Sequence, residues 1–240
     1  MLKSHKQIER NVFILITFTI LVTSIGAMVE ILPLFKQEVA IERVEGMRPY
    51  TPLELAGFEL YKREGCYGCH SQQVRALRDE VERYGHYSLA AESMYDFPFT
   101  WGSKRTGPDL ARVGGKYSDD WHIAHLINPR HLVATSIMPA YNFMAMKKLD
   151  TSEIQRYMSI YKSLGVPYSD ADINNYLQDI SIQTSRDEDP KAIEDFQKRY
   201  PKVVMHKPGQ ADVTEMEALV AYLQSIGTMV DFKTNQGRNW

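Results

Sequence analysis

Five consecutive residues, Cys66-Tyr67-Gly68-Cys69-His70, constrain this chain more than any other stretch. Two cysteines two residues apart, followed directly by a histidine, have the spacing of a c-type haem attachment site. The thiols can bond to the haem vinyl groups, and the imidazole then falls beneath the iron as its proximal ligand. Both cysteines of the 240-residue chain lie in this motif. They could close only one short loop, which excludes a disulfide-stapled scaffold. A haem at this point demands a second axial ligand, a fold that encloses a haem edge, and delivery to an oxidising compartment.

Two other chemistries use paired cysteines. A thioredoxin-type redox pair expects a strand before the cysteines, within a βαβ unit. Here a helical pattern precedes them and His70 follows directly. A zinc site wants four ligands, commonly from a second Cys or His pair. His122 and His125 stand at i and i+3, but no further pair has ligand spacing. One covalently bound haem c is therefore the expected cofactor. A formal net charge of −2 carries no basic excess, so nucleic acid is not an expected partner.

The N-terminus carries the export signal. Lys3, Lys6 and Arg10 precede an uncharged run from Val12 to Val29, roughly 18 residues, at the lower edge of a membrane span. Glu30 interrupts the run and Ile31-Leu32-Pro33-Leu34-Phe35 extends it, with Glu38 and Glu42 beyond. Ser24, Gly26 and Ala27 could mimic a signal-peptidase site, but apolar sequence resumes after them, which favours a retained anchor. The cationic flank places residues 1–11 in the cytoplasm, 12–35 in the lipid bilayer and the bulk of the chain outside. Residues 36–50 read as a linker and 51–240 as the extracytoplasmic domain.

That domain reads as mainly α-helical. Thr51-Pro52-Leu53-Glu54 has the pattern of a capping box, and Leu53, Ala56, Gly57, Leu60 and Tyr61 share one helical face running into the motif. Gly57 in that helix hints at a close crossing with another helix. The charged stretch from Ser71 to Arg83 reads as a solvated helix face. Ser118 can cap a helix that stops before Pro129, and Asp150 with Glu153 can open another that Gly165 ends. Asp212 with Glu215 can start the last, with Met216, Leu219, Val220, Leu223 and Ile226 on one face and Gly227 at its end. Asp172 to Ile182 and Lys191 to Tyr200 read as short surface helices. No stretch has the alternation of a strand.

Methionine and histidine are the usual sixth ligands. Met94, Met138, Met144, Met146, Met158, His86, His122, His125, His131 and His206 are all available. Met138 stands apart because it lies in a loop directly before Pro139, far downstream of His70. It is the expected distal ligand, with Met144 or a histidine as the alternatives. Two protein ligands would leave no open position on the iron, which favours electron transfer over catalysis there. Arg105 is the favoured partner for a haem propionate, ahead of Lys104, Arg75 and Arg78. Trp101 could shield the haem edge or fill the core.

The first helix, CYGCH, the Gly107-Pro108-Asp109-Leu110 loop, the Met138-Pro139 loop and the final helix resemble a class I cytochrome c. That resemblance implies that the first and last helices cross near the haem, with Gly57 against Tyr222, and that Pro108 lies beside the proximal histidine. The anchor with CHSQQVR, ERYGHYS, WGSKRTGPDLARVGGKYSDDWH and IMPAY is similar to the mono-haem subunit II of cbb3-type cytochrome c oxidase, from the anchor to Gly227. The resemblance implies a place in an aerobic respiratory chain at a bacterial inner membrane, with the haem domain periplasmic. Electrons would come from a di-haem cytochrome c subunit or soluble cytochrome c. They would pass to the haem b and copper catalytic subunit, which reduces oxygen and pumps protons. A free-standing anchored cytochrome, acting as a shuttle or haem sensor, is the alternative. Residues 181–210 depart from the family pattern as an insertion, read as solvated decoration, with an added docking surface as the alternative.

Overall fold

A computed structural model describes residues 3–34, 41, 44–186, 189–206 and 212–232. The chain forms two units, Met1–Arg43 and Val44–Trp240. The described residues are mainly helical and contain no strand.

The first unit holds α1 (Lys3–Arg10) and α2 (Val12–Leu34). Val12–Pro33 is long and apolar enough to cross a membrane, and its large apolar side chains are exposed along its length. Pro33 does not end α2; the helix continues to Leu34. Thr19 and Thr23 donate their hydroxyls to the carbonyls of Leu15 and Thr19, both at 2.8 Å, so their polar groups are satisfied within the helix. Phe35, the linker at 36–40 and 42–43, and Glu38 and Glu42 lie outside the described residues.

The second unit begins with α3 (Pro52–Arg63) and closes with α12 (Glu215–Ser225). The capping box of α3 forms as its sequence implies: Thr51 Oγ1 accepts from Glu54 N–H at 3.1 Å, and Glu54 Oε2 accepts from Thr51 N–H at 2.9 Å. A Cβ on Gly57 would lie 2.0 Å from the Ala218 carbonyl oxygen and 2.7 Å from Tyr222 Cβ, so only glycine permits this backbone-to-backbone approach. Tyr222 fills the crossing, its ring centroid 5.2 Å from that of Phe58, 5.3 Å from Tyr61 and 5.6 Å from Tyr50. Aromatic rings packed this way add to the apolar burial.

Between these helices lie α4 (Arg78–Tyr84), α5 (Asp119–Ile127), α6 (Pro129–Leu132), α7 (Phe143–Met146) and α8 (Ile154–Ser163). Ser118 caps α5, accepting from Trp121 N–H at 3.2 Å. Two capping expectations fail. Asp150 accepts from Ser152 N–H at 3.0 Å instead of capping a helix, and α8 starts at Ile154 without a side-chain cap. The last helix is capped by Thr214 with Glu217, not by Asp212 with Glu215. The cause is tertiary. Leu149 N–H donates to Val213 O and Glu215 N–H to Lys147 O, so the two helix entries are bound to each other and their starts shift.

The segment from 168 onward forms α9 (Asp170–Asn174), α10 (Tyr176–Gln183) and α11 (Pro190–Arg199). It is not solvated decoration. Ile182, Phe196 and Tyr200 build a small core of their own. Gln183 Oε1 accepts from Thr51 Oγ1 at 2.6 Å, and the Pro201 carbonyl accepts from Arg48 Nε at 2.8 Å. Residues 187–188 and 207–210 of the insertion lie outside the described residues.

Candidate functional site: the Cys66–His70 turn and its surroundings

Helix α3 ends at Arg63, and Gly65, with a φ of +69°, turns the chain into a short 3-10 turn at Cys66–Gly68. Cys69 and His70 N–H groups both donate to Cys66 O, at 3.1 and 2.9 Å. This turn closes both cysteines and His70 into one compact segment. Both thiols are free, Cys66 half-buried and Cys69 exposed. Burial, with the nearby Glu64 charge, pushes the Cys66 thiol up to about 12. A thiol this reluctant to ionise is unlike the activated thiolate of a disulfide-exchange pair. Among the described residues, no three His, Cys, Asp or Glu side chains converge to hold a metal ion.

The loop from Trp101 to Ala111 fixes the histidine. His70 Nδ1 lies 2.8 Å from Pro108 O. A carbonyl only accepts, so Nδ1 carries the proton and Nε2 is left with its lone pair for a metal. Pro108 thus lies beside His70, as the resemblance implies. Gly107 N–H donates to Cys69 O at 2.9 Å, and a Cβ at Gly107 would lie 2.2 Å from His70 Cε1. The glycine forms a cradle that only a bare backbone can provide.

Asp109 ties this loop to the chain after the motif. Its Oδ2 accepts from Ser71 Oγ at 2.6 Å and Gln73 N–H at 2.9 Å, and its Oδ1 from Ala111 N–H at 2.8 Å. Arg105 is held by groups of the protein itself. Its Nε donates to Ser71 Oγ at 2.6 Å, and its Nη2 to Gln73 O at 2.9 Å and Glu80 Oε2 at 2.8 Å. Two buried carboxylates, Glu80 and Asp109, hold the guanidinium inside the fold. Arg75 is drawn to Glu80 as well, and Arg78 to Glu82. Lys104 is exposed. The charged stretch after the motif is therefore not simply a solvated face: Ser71, Gln72, Val74 and Glu80 are buried.

Sequence reasoning missed Glu80, whose partners come from distant positions. Asp109 carried a local signal, since an Asp accepting from the N–H two residues on is an Asx turn. Trp101 is half-buried, donates from Nε1 to Ser93 Oγ at 2.9 Å and stacks on Phe99 at 4.4 Å. Its carbonyl accepts from Gln72 N–H at 2.6 Å, so it backs the motif.

The ligand candidates separate by environment. Met144 and Met158 are fully buried in the main core, and Met146 is 77% exposed. His206 Nδ1 pairs with Asp119 Oδ2 at 2.7 Å, His86 stacks between Tyr87 and Phe232, and His131 is exposed. Met138 is half-buried against the main core. Its loop returns to α5 where Tyr141 N–H donates to Leu126 O at 2.8 Å. Burial, then the charges of Cys66, Glu64 and Cys69, raise the Tyr141 phenol above its ordinary value. Cys66, Met138 and Tyr141 all pack against the main core. Around Met138 in the sequence, Leu132, Val133, Ile137 and Phe143 are exposed apolar groups. Two free thiols, an imidazole with Nε2 available, a half-buried thioether and exposed apolar side chains are a donor set that fits a haem.

A family model described as "Cytochrome C oxidase, mono-heme subunit/FixO" matches residues 5–230. No curated protein matches the chain. The match covers most of the chain, which belongs to that family.

Proposed function

We propose that this member of the mono-heme cytochrome c oxidase subunit family relays electrons to a haem b and copper catalytic subunit of the cbb3 type. A di-haem cytochrome c subunit or soluble cytochrome c would be the donor. The observation that carries the reading is the 2.8 Å bond between His70 Nδ1 of the CYGCH turn and Pro108 O, which leaves Nε2 available to a metal. Bound haem c supplies a one-electron carrier. Cys66 and Cys69 would hold it covalently, and His70 through Nε2 and Met138 through its thioether would ligate its iron. Pro108 fixes the His70 tautomer and ring plane, and Trp101 packs behind the motif. Two protein ligands would leave the iron no open position, which favours electron transfer over oxygen chemistry on this chain.

On this reading α2 is a single-pass anchor in the bacterial inner membrane. Residues 1–11 are cytoplasmic and the unit from Val44 onward is periplasmic. The test is mild-detergent purification of the tagged full chain from a host that makes the oxidase. Co-purification of haem b and copper is expected. Recovery of the chain alone would favour the free-standing anchored cytochrome. Haem staining after denaturing electrophoresis should show one covalent haem, lost in the Cys66→Ser/Cys69→Ser double variant. Covalent haem surviving in that variant would overturn the site assignment.

A further inference from the structure

Six carboxylates are buried among the described residues, and five of them meet an arginine. Glu54 pairs with Arg48, Glu80 and Asp109 with Arg105, Asp179 with Arg199 and Glu215 with Arg63. Asp96 is the sixth, 2% exposed, and no ion pair reaches it. Its carboxylate accepts from the Tyr50 hydroxyl at 2.8 Å, and Ser93 is its other side-chain partner. A buried carboxylate bonded only by neutral groups is one that a proton readily neutralises. Tyr50 and Ser93 also line a cavity of about 30 Å³ with Gln72, Ser88 and Glu92, which has room for a water to bring a proton to them.

Two routes join Asp96 to the chain just after His70. Asp96 N–H donates to Ser93 O at 3.0 Å, Ser93 Oγ accepts from Trp101 Nε1 at 2.9 Å, and Trp101 O accepts from Gln72 N–H at 2.6 Å. On the other route the Tyr50 ring meets Tyr222 edge-on at 5.6 Å. The Tyr222 hydroxyl then donates to Gln72 Oε1 at 3.2 Å, which also accepts from Thr100 Oγ1 at 3.0 Å. Gln72, Ser93, Thr100 and Tyr222 are all buried, so solvent and salt screen this region little.

We propose that Asp96 is a redox-linked proton site, taking a proton from solvent as an electron reaches the haem and releasing it as that electron leaves. This rests on the reading of the Cys66–His70 turn as a haem c site. The balance is one for one. The donor of the relay supplies the electron that takes the iron from ferric to ferrous, and the proton forms an O–H bond on the Asp96 carboxylate; oxidation reverses both. The coupling is electrostatic, since the reduced haem carries one positive charge fewer and holds the carboxylate less firmly in its charged form. Burial pushes Asp96 from the ordinary 3.8 up to about 6, against the Tyr50 and Ser93 bonds and the Lys62 charge, which lower it. The titratable groups around it are Tyr50 ahead of α3, Tyr61 and Lys62 on α3, Tyr161 on α8 and Tyr222 on α12. Lys62 is bonded to Glu59 at 2.7 Å and to Phe97 O at 3.0 Å. Burial raises all four phenols, so they stay neutral while Asp96 titrates.

The test uses the full-length, haem-loaded chain in detergent. The readouts are potentiometric titration from about pH 5 to about pH 8, either side of the Asp96 value, and the reduced-minus-oxidised infrared difference spectrum. At a fixed poise the reduced-to-oxidised ratio of the parent should fall about fivefold over that range, the factor for unit charges roughly 15–20 Å apart at an effective dielectric of about 20. A carboxylic-acid carbonyl band should appear on reduction. Asp96→Asn keeps the side-chain shape and removes the proton site, so its ratio should hold within about twofold of the parent's acid value, without the band. Tyr50→Phe removes a hydrogen bond to the charged form, so its fall should move about one pH unit higher. A parent ratio independent of pH would overturn the proposal, as would an equal fall in Asp96→Asn, which would put the proton elsewhere. Should Asp96→Asn fail to fold, an unmoved fall in Tyr50→Phe would overturn it. Absence of covalent haem from the parent would overturn the haem site as well, a result visible by staining before any titration.

Discussion

At the residue scale, the site depends on a few backbone positions that admit no side chain. Gly107 presses on the face of His70, and the ring cannot yield because Pro108 O holds its Nδ1. Gly107→Ala should leave the thiols free to attach haem, yet tilt the imidazole. The expected result is covalent haem by staining, with part of the six-coordinate, low-spin spectrum lost. A full parent spectrum would show that the loop can retreat. Glu80 gives a second prediction. Its bond to Arg105 leads the causes that lower it from the ordinary 4.5 to about 2. A carboxylate lowered on folding stabilises the native state in full above its unfolded value, and that contribution fades as pH falls from about 4.5 through about 2. Glu80→Gln should flatten the fall of the urea midpoint over that window, whereas a parallel fall in both proteins would remove Glu80 as its cause. The CYGCH motif was legible because its chemistry is written in adjacent residues, and the place of Pro108 only through the resemblance to class I cytochromes c. The bond of Arg105 to Glu80 was not legible, since nothing in a loop cation points to a buried carboxylate 25 positions upstream.

At the element scale, the crossing of α3 and α12 is the frame on which the motif is mounted. Gly57→Ala would put a methyl 2.0 Å from the Ala218 carbonyl oxygen, against backbone that cannot rotate away. Overpacking of this kind costs roughly 1–3 kcal/mol, so the variant should unfold at lower urea while the motif residues are untouched. An unchanged midpoint would mean that the helices separate without loss. The crossing was legible from a glycine on an otherwise apolar helical face. Helix starts were legible only where the cap is local. Thr51 caps through its own Glu54, but the entry of α12 is moved to Thr214 by pairing with residues 147–149, a contact far away in the sequence. The insertion was misread for another reason. In α11 the charged residues mask Ile193, Phe196 and Tyr200, whose spacing lets them share one face. Arg199 bridges Asp172 at 2.8 Å and Asp179 through both ends of its guanidinium. Asp179 is 1% exposed and burial holds it above the ordinary aspartate value even with that partner. Arg199→Ala should cost about 2 kcal/mol, less than a wholly buried pair because Arg199 is one-third exposed. A chemical-denaturation midpoint equal to the parent's would return the insertion to the status of surface decoration.

At the scale of the whole molecule, the boundary between the two units at Val44 is also a functional boundary, between a candidate anchor and the unit that carries the motif. The second unit is closed at its own beginning. Arg48 is 6% exposed and forms a two-pronged pair with Glu54, itself 1% exposed, at 2.6 and 2.8 Å, while its Nε reaches Pro201 O in the insertion. Residues assigned by sequence to a linker at 36–50 therefore include part of the folded core: Val44, Arg48 and Tyr50 are buried. The linker was read too long because Arg48 and Pro49 look like surface residues until Glu54 and Tyr200 are brought to them by the fold. Two truncations separate these readings. A chain beginning at Val44 keeps every contact of the second unit and should be soluble without detergent, with the melting temperature of the full chain's haem domain. A chain beginning at Thr51 loses Arg48 and leaves Glu54 buried without its cation. Breaking such a pair costs roughly 3 kcal/mol. For a unit of this size each kcal/mol lowers the melting temperature by about 2–4 °C, so the shorter chain should melt roughly 6–12 °C lower. Equal melting temperatures would place residues 44–50 in the linker after all, and would leave the insertion without a grip on the start of the domain.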